Sequence, residues 1–283
     1  MICSKKKYLS VFLFCSILSL LFFGCQSTKN LDIQFENDFL TTENKELLEN
    51  RFSKALHKEI SLSNHFQPSK NTFYMRFLGE KLTFHLVAVK MEQSLDFSVL
   101  PERVSAKKFI QANNPTITIN GSPYNMKTLE PVGIVIQNQK LYSNPVPTYS
   151  AFSIDINNVP KIYEIQSDIK IEDTKVALGG FFTIIKDGKK YGTYQNIQDS
   201  RTAIGISKEK DYIFLLLVEG EFYTRSDGLS FEECADLLLA ISVENALQMD
   251  GGGSTTLYIT NKNALSYKTL RKNAIYFAII DEP

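Results

Sequence analysis

What most constrains this chain is its succession of short β-rich runs punctuated by turn residues. TFYMRFLGEKLTFHLVAVKM folds back on itself around Gly79-Glu80. PVGIVIQNQKLY, YSAFSIDI, KVALGGFFTIIKDGKKYG and RTAIGISKEKDYIFLLLVEG follow, and RKNAIYFAII closes the chain as another strand. Lys186-Asp187-Gly188 and Glu209-Lys210-Asp211 are hairpin punctuation, because tight-turn backbone falls to Gly, Asp and Asn. Helical spacing is confined to ELLENRFSKALHKEIS, with Leu47, Leu48, Phe52, Ala55 and Leu56 on one side, and to two Ser-led segments further on. Strands outnumber helices and the helices are not regularly interleaved. This argues for an α+β fold of mixed, largely antiparallel sheets flanked by a few helices.

The two Ser-led segments resemble each other. VSAKKFIQANNPTITINGSPYN runs from a helix start through a short helix and a strand, Thr116 to Ile119, to Asn120-Gly121-Ser122. LSFEECADLLLAISVENALQMDGGGSTT has Glu233 three residues after Ser230, a capping-box signature, then a strand from Ala246 to Met249 and Asp250-Gly251-Gly252-Gly253-Ser254. Both end in a polar residue, glycine and serine, which leaves two readings open, a domain of two pseudo-repeated halves or a coincidence. The copies diverge too far to prove duplication. Sites in α/β architectures collect at such strand ends.

The first residues belong to targeting rather than fold. Lys5, Lys6 and Lys7 precede an apolar run from Tyr8 to Phe23, which ends at Gly24-Cys25 before polar Gln26. This resembles a bacterial lipobox, with residues 1–24 a signal peptide and Cys25 lipidated. An uncleaved anchor helix is the alternative. Residues 25–45 are expected to tether a folded domain over 46–283 to a membrane outside the cytoplasm, in the cell envelope. After removal of Cys3 and Cys15 with the leader, Cys234 is the one thiol besides Cys25, so no internal disulfide is expected. FEECADLLLA places Cys234 on a helix face, as a core thiol rather than a nucleophile. Lys+Arg and Asp+Glu both total 31 in 283 residues. That balance gives no basic field for nucleic acid. The three histidines, His57, His65 and His85, lie in the first third, which disfavours a His-rich zinc site; His85, inside a strand, reads as a packing residue.

ALQMDGGGSTTLYIT, Ala246 to Thr260, concentrates the chemistry. Glycines after a strand let backbone approach an anion or a sugar, since no Cβ intervenes. A carboxylate before them can serve as acid, base, nucleophile or metal ligand, and the hydroxyls after them can orient a ligand. The plain alternative is a tight turn capped by its own Asp250. DGGGST is similar to the phosphate loop of actin- and hexokinase-like ATPases. Those loops separate the acid from the glycines and require an earlier Asp-bearing hairpin, and neither feature is present. The oxygens near Asp250 could hold calcium, but nothing else in the sequence supports an ion or cofactor.

A longer match begins near residue 75. SRTAIGISKEKDYIFLLLVEG followed by GLSFEECADLLLAISVENALQMDGGGSTTLYI resembles the phosphodiester glycosidase family. That family has an Arg-Thr-Ala-hydrophobic-Gly segment, a strand ending in Asp-Gly-Arg, and Asn-Leu-Asp-Gly-Gly-Gly-Ser-Thr-Thr after a helix. Its Asn-Gly-Gly-Phe-Phe corresponds to Asn120-Gly121-Ser122-Pro123-Tyr124, and LGGFFTIIKDGK is similar to its Ser-Gly-Gly-Pro strand.

The resemblance implies the family's fold and hydrolysis at an anomeric carbon, with a carbohydrate or glycoconjugate as substrate. It places Asp250 at the reacting centre, with Glu219 as the second carboxylate a glycosidase needs. Arg201 is expected to bind a phosphate through its planar fork, the alternative being a surface salt bridge. Asn120 would orient Asp250 or a sugar hydroxyl, the alternative being an ordinary Asn-Gly turn. Thr202, Ser254 and Thr255 would contact substrate, and the N–H groups of Gly251, Gly252 and Gly253 would face the leaving oxygen. Three departures stand against the phosphodiester: Glu219-Gly220-Glu221 replaces Asp-Gly-Arg, Ser122 replaces a glycine, and Asp199-Ser200 replaces a frequent His-Pro. They weaken the phosphodiester assignment and make room for a neutral glycoside. The leading expectation is a membrane-anchored glycosidase acting on a sugar phosphodiester or related glycoside of envelope or host glycoconjugates. The alternative is a non-catalytic carbohydrate-binding surface lipoprotein on the same fold.

Overall fold

Thr41 accepts a hydrogen bond from the Asn44 N–H at 3.2 Å and so caps α1 (Thr42–Leu56). The helix therefore starts inside the stretch expected to be tether. The computed structural model describes residues 41–99, 105–220, 225–260, 265–268 and 273–281, all within a unit spanning Ile33–Pro283. Cys25, the rest of the leader and Glu221 lie outside the described residues.

After α1 come β1 (Ile60–Ser69), β2 (Thr72–Gly79), β3 (Leu82–Lys90), β4 (Asp96–Ser98), α2 (Ala106–Asn113) and β5 (Ile117–Asn120). The middle of the chain supplies β6 (Val135–Gln137), β7 (Lys140–Ser143), β8 (Ala151–Asp155), β9 (Pro160–Tyr163), β10 (Thr174–Gly179), β11 (Phe182–Lys186) and β12 (Lys189–Lys190). Then follow β13 (Arg201–Ser207), β14 (Tyr212–Val218), α3 (Phe231–Ala240), β15 (Val243–Gln248), β16 (Thr256–Ile259), β17 (Leu265–Lys268) and β18 (Tyr276–Ile280).

An eight-stranded sheet has the order β1-β2-β3-β14-β13-β15-β11-β12. Two five-stranded sheets have the orders β7-β6-β10-β8-β9 and β17-β16-β5-β18-β4. The largely antiparallel sheets expected are present, and every strand pairing among the described residues is antiparallel. Some of these pairings join strands far apart in sequence, such as β3 with β14 and β5 with β16, while β2–β3, β6–β7 and β8–β9 are hairpins. The β11–β12 turn is one such hairpin, with Asp187 (φ 50°) and Gly188 (φ 68°) both left-handed. KVALGGFFTIIK, read as one run, is split between two sheets at Gly179-Gly180. A Cβ on Gly179 would come within 2.8 Å of the Gln166 amide, and one on Gly180 within 2.8 Å of the Gln248 carbonyl oxygen.

The large sheet is apolar on both faces, which explains the nearly continuous hydrophobic run of β14. Phe214, Leu216 and Val218 face the core beneath α1 and α3, while Ile213, Leu215 and Leu217 face the core shared with the smaller sheets. Phe52 of α1 anchors the first core. Its ring lies edge-on to Phe77 at 4.9 Å and Phe84 at 5.5 Å between centroids. Both Ser-led segments fold as a capped helix followed by a strand: α2 is capped by Ser105 and α3 by a capping box from Ser230 and Glu233. Their strands, β5 and β15, enter different sheets.

Phe52→Ala would remove the anchor of the aromatic trio and leave a cavity. We expect a loss of roughly 3–5 kcal/mol, measured by denaturant unfolding.

Candidate active site

Three neighbouring strands of the large sheet end together. β14 runs out into Glu219-Gly220, β13 starts after Ser200, and β15 runs out into Met249-Asp250-Gly251. The register pairs Arg201 with Val218 and Ala203 with Gln248, so Ser200 lies between the other two ends. Backbone is packed tightly here. A Cβ on Gly220 would collide with Ser200 N, and one on Gly251 would come within 2.9 Å of the Ser200 carbonyl oxygen. Gly252 has φ 55° and donates its N–H to the same carbonyl at 2.8 Å. Glycine is required at these positions for close approach and for left-handed backbone. Glu219 and Asp250 each stand one residue before such a glycine, on strand ends flanking Ser200.

The smaller sheet enters through Asn120, at the end of β5. Its Oδ1 accepts from Thr202 Oγ1 at 2.8 Å and from the Thr256 N–H at 3.1 Å, and its Nδ2 donates to the Asp250 carbonyl at 2.7 Å. Buried and bonded three ways, the amide positions the Asp250 backbone. The two Ser-led segments thus meet at their strand ends. Asn273 Nδ2 donates to the Ser254 carbonyl at 2.8 Å and ties down the other side of the turn. Around this edge, Ser122, Ser200 and Ser254 are buried, with hydroxyls that have no hydrogen-bond partner among the described residues. Ordered water suits such groups.

Glu219 is buried and its Oε1 lies 2.9 Å from His85 Nε2; His85 Nδ1 lies 2.8 Å from Tyr74 Oη. Burial lowers the imidazole's proton affinity below its ordinary value of 6.5, the Glu219 hydrogen bond and charge oppose that, and the Arg76 charge adds to it. His85 is therefore neutral at pH 7. Desolvation also raises the Tyr74 phenol well above the usual range, which keeps it protonated.

The structure brings Asn120, Thr202, Asp250, Thr255 and Glu219 to this edge and corrects two other expectations. Arg201 does not join them. Thr202 points at Asn120, so strand alternation sends its neighbour to the opposite face. There Nε donates to the Leu229 carbonyl at 3.0 Å and Nη2 to the Ile197 carbonyl at 2.6 Å, while the guanidinium lies 3.9 Å over the Phe231 ring. Asp199 stands 4.0 Å away. Desolvation lowers the Arg201 pKa. The glycine N–H groups are the second correction. Gly251 donates to Asp250 Oδ1 at 3.1 Å and Gly252 to Ser200, so these two donors close the turn instead of lining a ligand site. Asp250 does cap its own turn, and its side chain is half-buried.

Cys234 is a buried free thiol, pushed up to about 12 by burial. Among the described residues, no group of three or more His, Cys, Asp and Glu is placed to hold a metal ion, and no helix is long and apolar enough to cross a membrane. Sequence reasoning missed Ser200, Tyr74 and the link from His85 to Glu219. The available signal was His85 itself, one ionisable group among the apolar residues of LTFHLVAV.

Comparison with known proteins agrees with this architecture. The family model for phosphodiester glycosidase matches residues 113–280, and the chain belongs to that family. The bovine N-acetylglucosamine-1-phosphodiester alpha-N-acetylglucosaminidase is 26% identical over 234 residues, covering 71% of this chain and 43% of that protein. The human enzyme of the same name is 24% identical over 229 residues, covering 69% and 43%. The chain thus spans less than half the length of these relatives. Among solved structures, the zebrafish catalytic domain of that enzyme, auto-inhibited by its pro-peptide, superposes with a TM-score of 0.60 at 16% identity, covering 79% of this chain and 88% of that one. A hypothetical protein from Synechocystis gives a TM-score of 0.60 at 12% identity, covering 74% and 62%. At these identities both likenesses establish the fold.

The buried imidazole makes stability depend on pH. Unfolded, His85 takes up a proton near 6.5; folded, it resists until lower pH. Its contribution is complete above about 6.5 and is lost as pH falls toward the folded value. Comparing thermal unfolding at pH 7 and 5, we expect wild type to lose on the order of 1 kcal/mol more than His85→Gln, since shared carboxylate effects cancel.

Proposed function

We propose that this protein is a glycosidase that hydrolyses a sugar phosphodiester or a related glycoside, with Glu219 and Asp250 as its carboxylate pair. One observation carries the reading: the two residues end the strands on either side of β13, flanking Ser200 at its start, with the Asp250 backbone held by Asn120. Family membership and the names of the relatives support it. Two carboxylates at one site serve as nucleophile or base and as acid, and a phosphate leaving group needs little help from the acid. Thr202 and Thr255 lie buried behind this edge, where Thr202 holds Asn120 in place. Arg201 acts in this scheme as a structural cation joining β13 to the segment before α3. The experiment is turnover of paired chromogenic sugar phosphodiesters and aryl glycosides by the full chain in detergent. Asp250→Asn and Glu219→Gln should each lower kcat/KM by roughly 10²–10⁴-fold. Arg201→Ala should cost about 2–4 kcal/mol of stability without a selective rise in KM for phosphodiesters. Sugar binding that survives in both carboxylate variants, with no turnover by wild type, would identify a carbohydrate-binding module instead.

We further propose that the protein is a lipoprotein held at a bacterial envelope membrane through Cys25. The support is the order of Lys5 to Lys7, the apolar run and Gly24-Cys25. Metabolic labelling with palmitate should mark wild type and leave Cys25→Ala unlabelled.

A further inference from the structure

His85 holds a second piece of chemistry that lies behind the proposed carboxylate pair. β3 is flanked by β2 and β14, and the register sets Arg76 opposite His85 on one side and Leu217 opposite it on the other. Tyr74 and Glu219 each stand two residues from one of those partners, so strand alternation puts all three side chains on one face. From the third sheet, the Tyr267 ring stacks on the imidazole at 5.7 Å between centroids, and the Tyr74 ring lies at 5.9 Å. Tyr74 is completely buried and His85 is 2% exposed.

The bonding direction follows from the chemistry of the groups. A carboxylate only accepts, so His85 Nε2 must carry the hydrogen toward Glu219 Oε1. A neutral imidazole then has a bare Nδ1, which must accept, and Tyr74 Oη is the donor in reach. Arg76, whose charge disfavours the imidazolium, Glu219, Tyr74 and Tyr267 are the titratable groups that face the ring among the described residues.

We propose that His85, backed by Tyr74, is the positioning residue for Glu219, holding one tautomer and thereby one carboxylate orientation at the strand end beside Ser200. This rests on Glu219 being one of the reacting carboxylates. His85 itself touches no reacting atom. Its part is the one an orienting partner plays for a metal-bound or catalytic group: it removes rotational freedom from the carboxylate and supplies an N–H that favours its negative charge.

Two measurements on the full chain test this. The chain has three histidines, so ¹H–¹⁵N spectra of the imidazoles identify His85 by its loss in His85→Gln. The expected result is an Nε2–H tautomer that does not titrate between pH 8 and 6.5, with Tyr74→Phe perturbing Nδ1. In turnover assays, His85→Leu fills the core without a donor. It should lower kcat at least about tenfold with KM nearly unchanged. His85→Gln, which keeps an N–H, should recover most of that loss. An Nδ1–H tautomer, or a His85→Leu enzyme with the wild-type kcat, would overturn the proposal. If wild type turns over no substrate, the functional reading fails, and the spectra still decide the hydrogen-bond chain independently.

Discussion

The arrangement at the candidate site depends on one buried side chain, the amide of Asn120. It lies at the end of a short strand in a small sheet, yet its three hydrogen bonds reach Thr202 of the large sheet, the Thr256 N–H and the Asp250 carbonyl. A buried amide with any of these partners missing would leave unpaired polar groups at a cost of a few kcal/mol. Satisfying all of them requires the two sheets to meet in a single relative placement. Asp250 gains a defined backbone position from that constraint, and its Oδ1 also accepts from the Gly251 N–H.

Close backbone approach is the second constraint. Gly220 and Gly251 are pressed against Ser200 from either side, and Gly252 adopts left-handed backbone to reach the Ser200 carbonyl. The glycines that suggested an anion cradle are therefore consumed largely in bringing three strand ends together. This explains how two carboxylate-bearing residues come to lie on strand ends either side of Ser200. The withdrawal of Arg201 has the same origin. With Thr202 committed to Asn120, the strand's two-residue period leaves the guanidinium beneath Phe231, bonded to carbonyls of the loops around it.

Burial gives the remaining polar groups their character. The same apolar faces that stabilise the large sheet enclose Tyr74, His85 and Glu219, where an unpaired donor or acceptor would be costly. Each is paired in sequence along one chain of hydrogen bonds. Cys234 shows the contrasting case, a small thiol without polar demands on the buried face of α3, where desolvation raises its pKa and keeps it unreactive.

The sequence by itself determined the class of fold, the two capped helices, most hairpins and the family. Local signals carry these: period-two alternation, turn residues, Ser at helix starts and the contiguous DGGGSTT and RTAIG motifs. It also marked Asn120, Thr202, Asp250 and Glu219 as residues of interest. Only the tertiary structure decided which of them meet. Asn120 and Asp250 are 130 positions apart, and His85 and Glu219 are 134 apart. Alternation tells that Arg201 and Thr202 face opposite ways but not which way the site lies. His85 in an apolar strand reads as packing until its partner strands are known. Sheet order, register and the split of one β-run at Gly179-Gly180 are settled by non-local pairing energies, which no local window of residues contains.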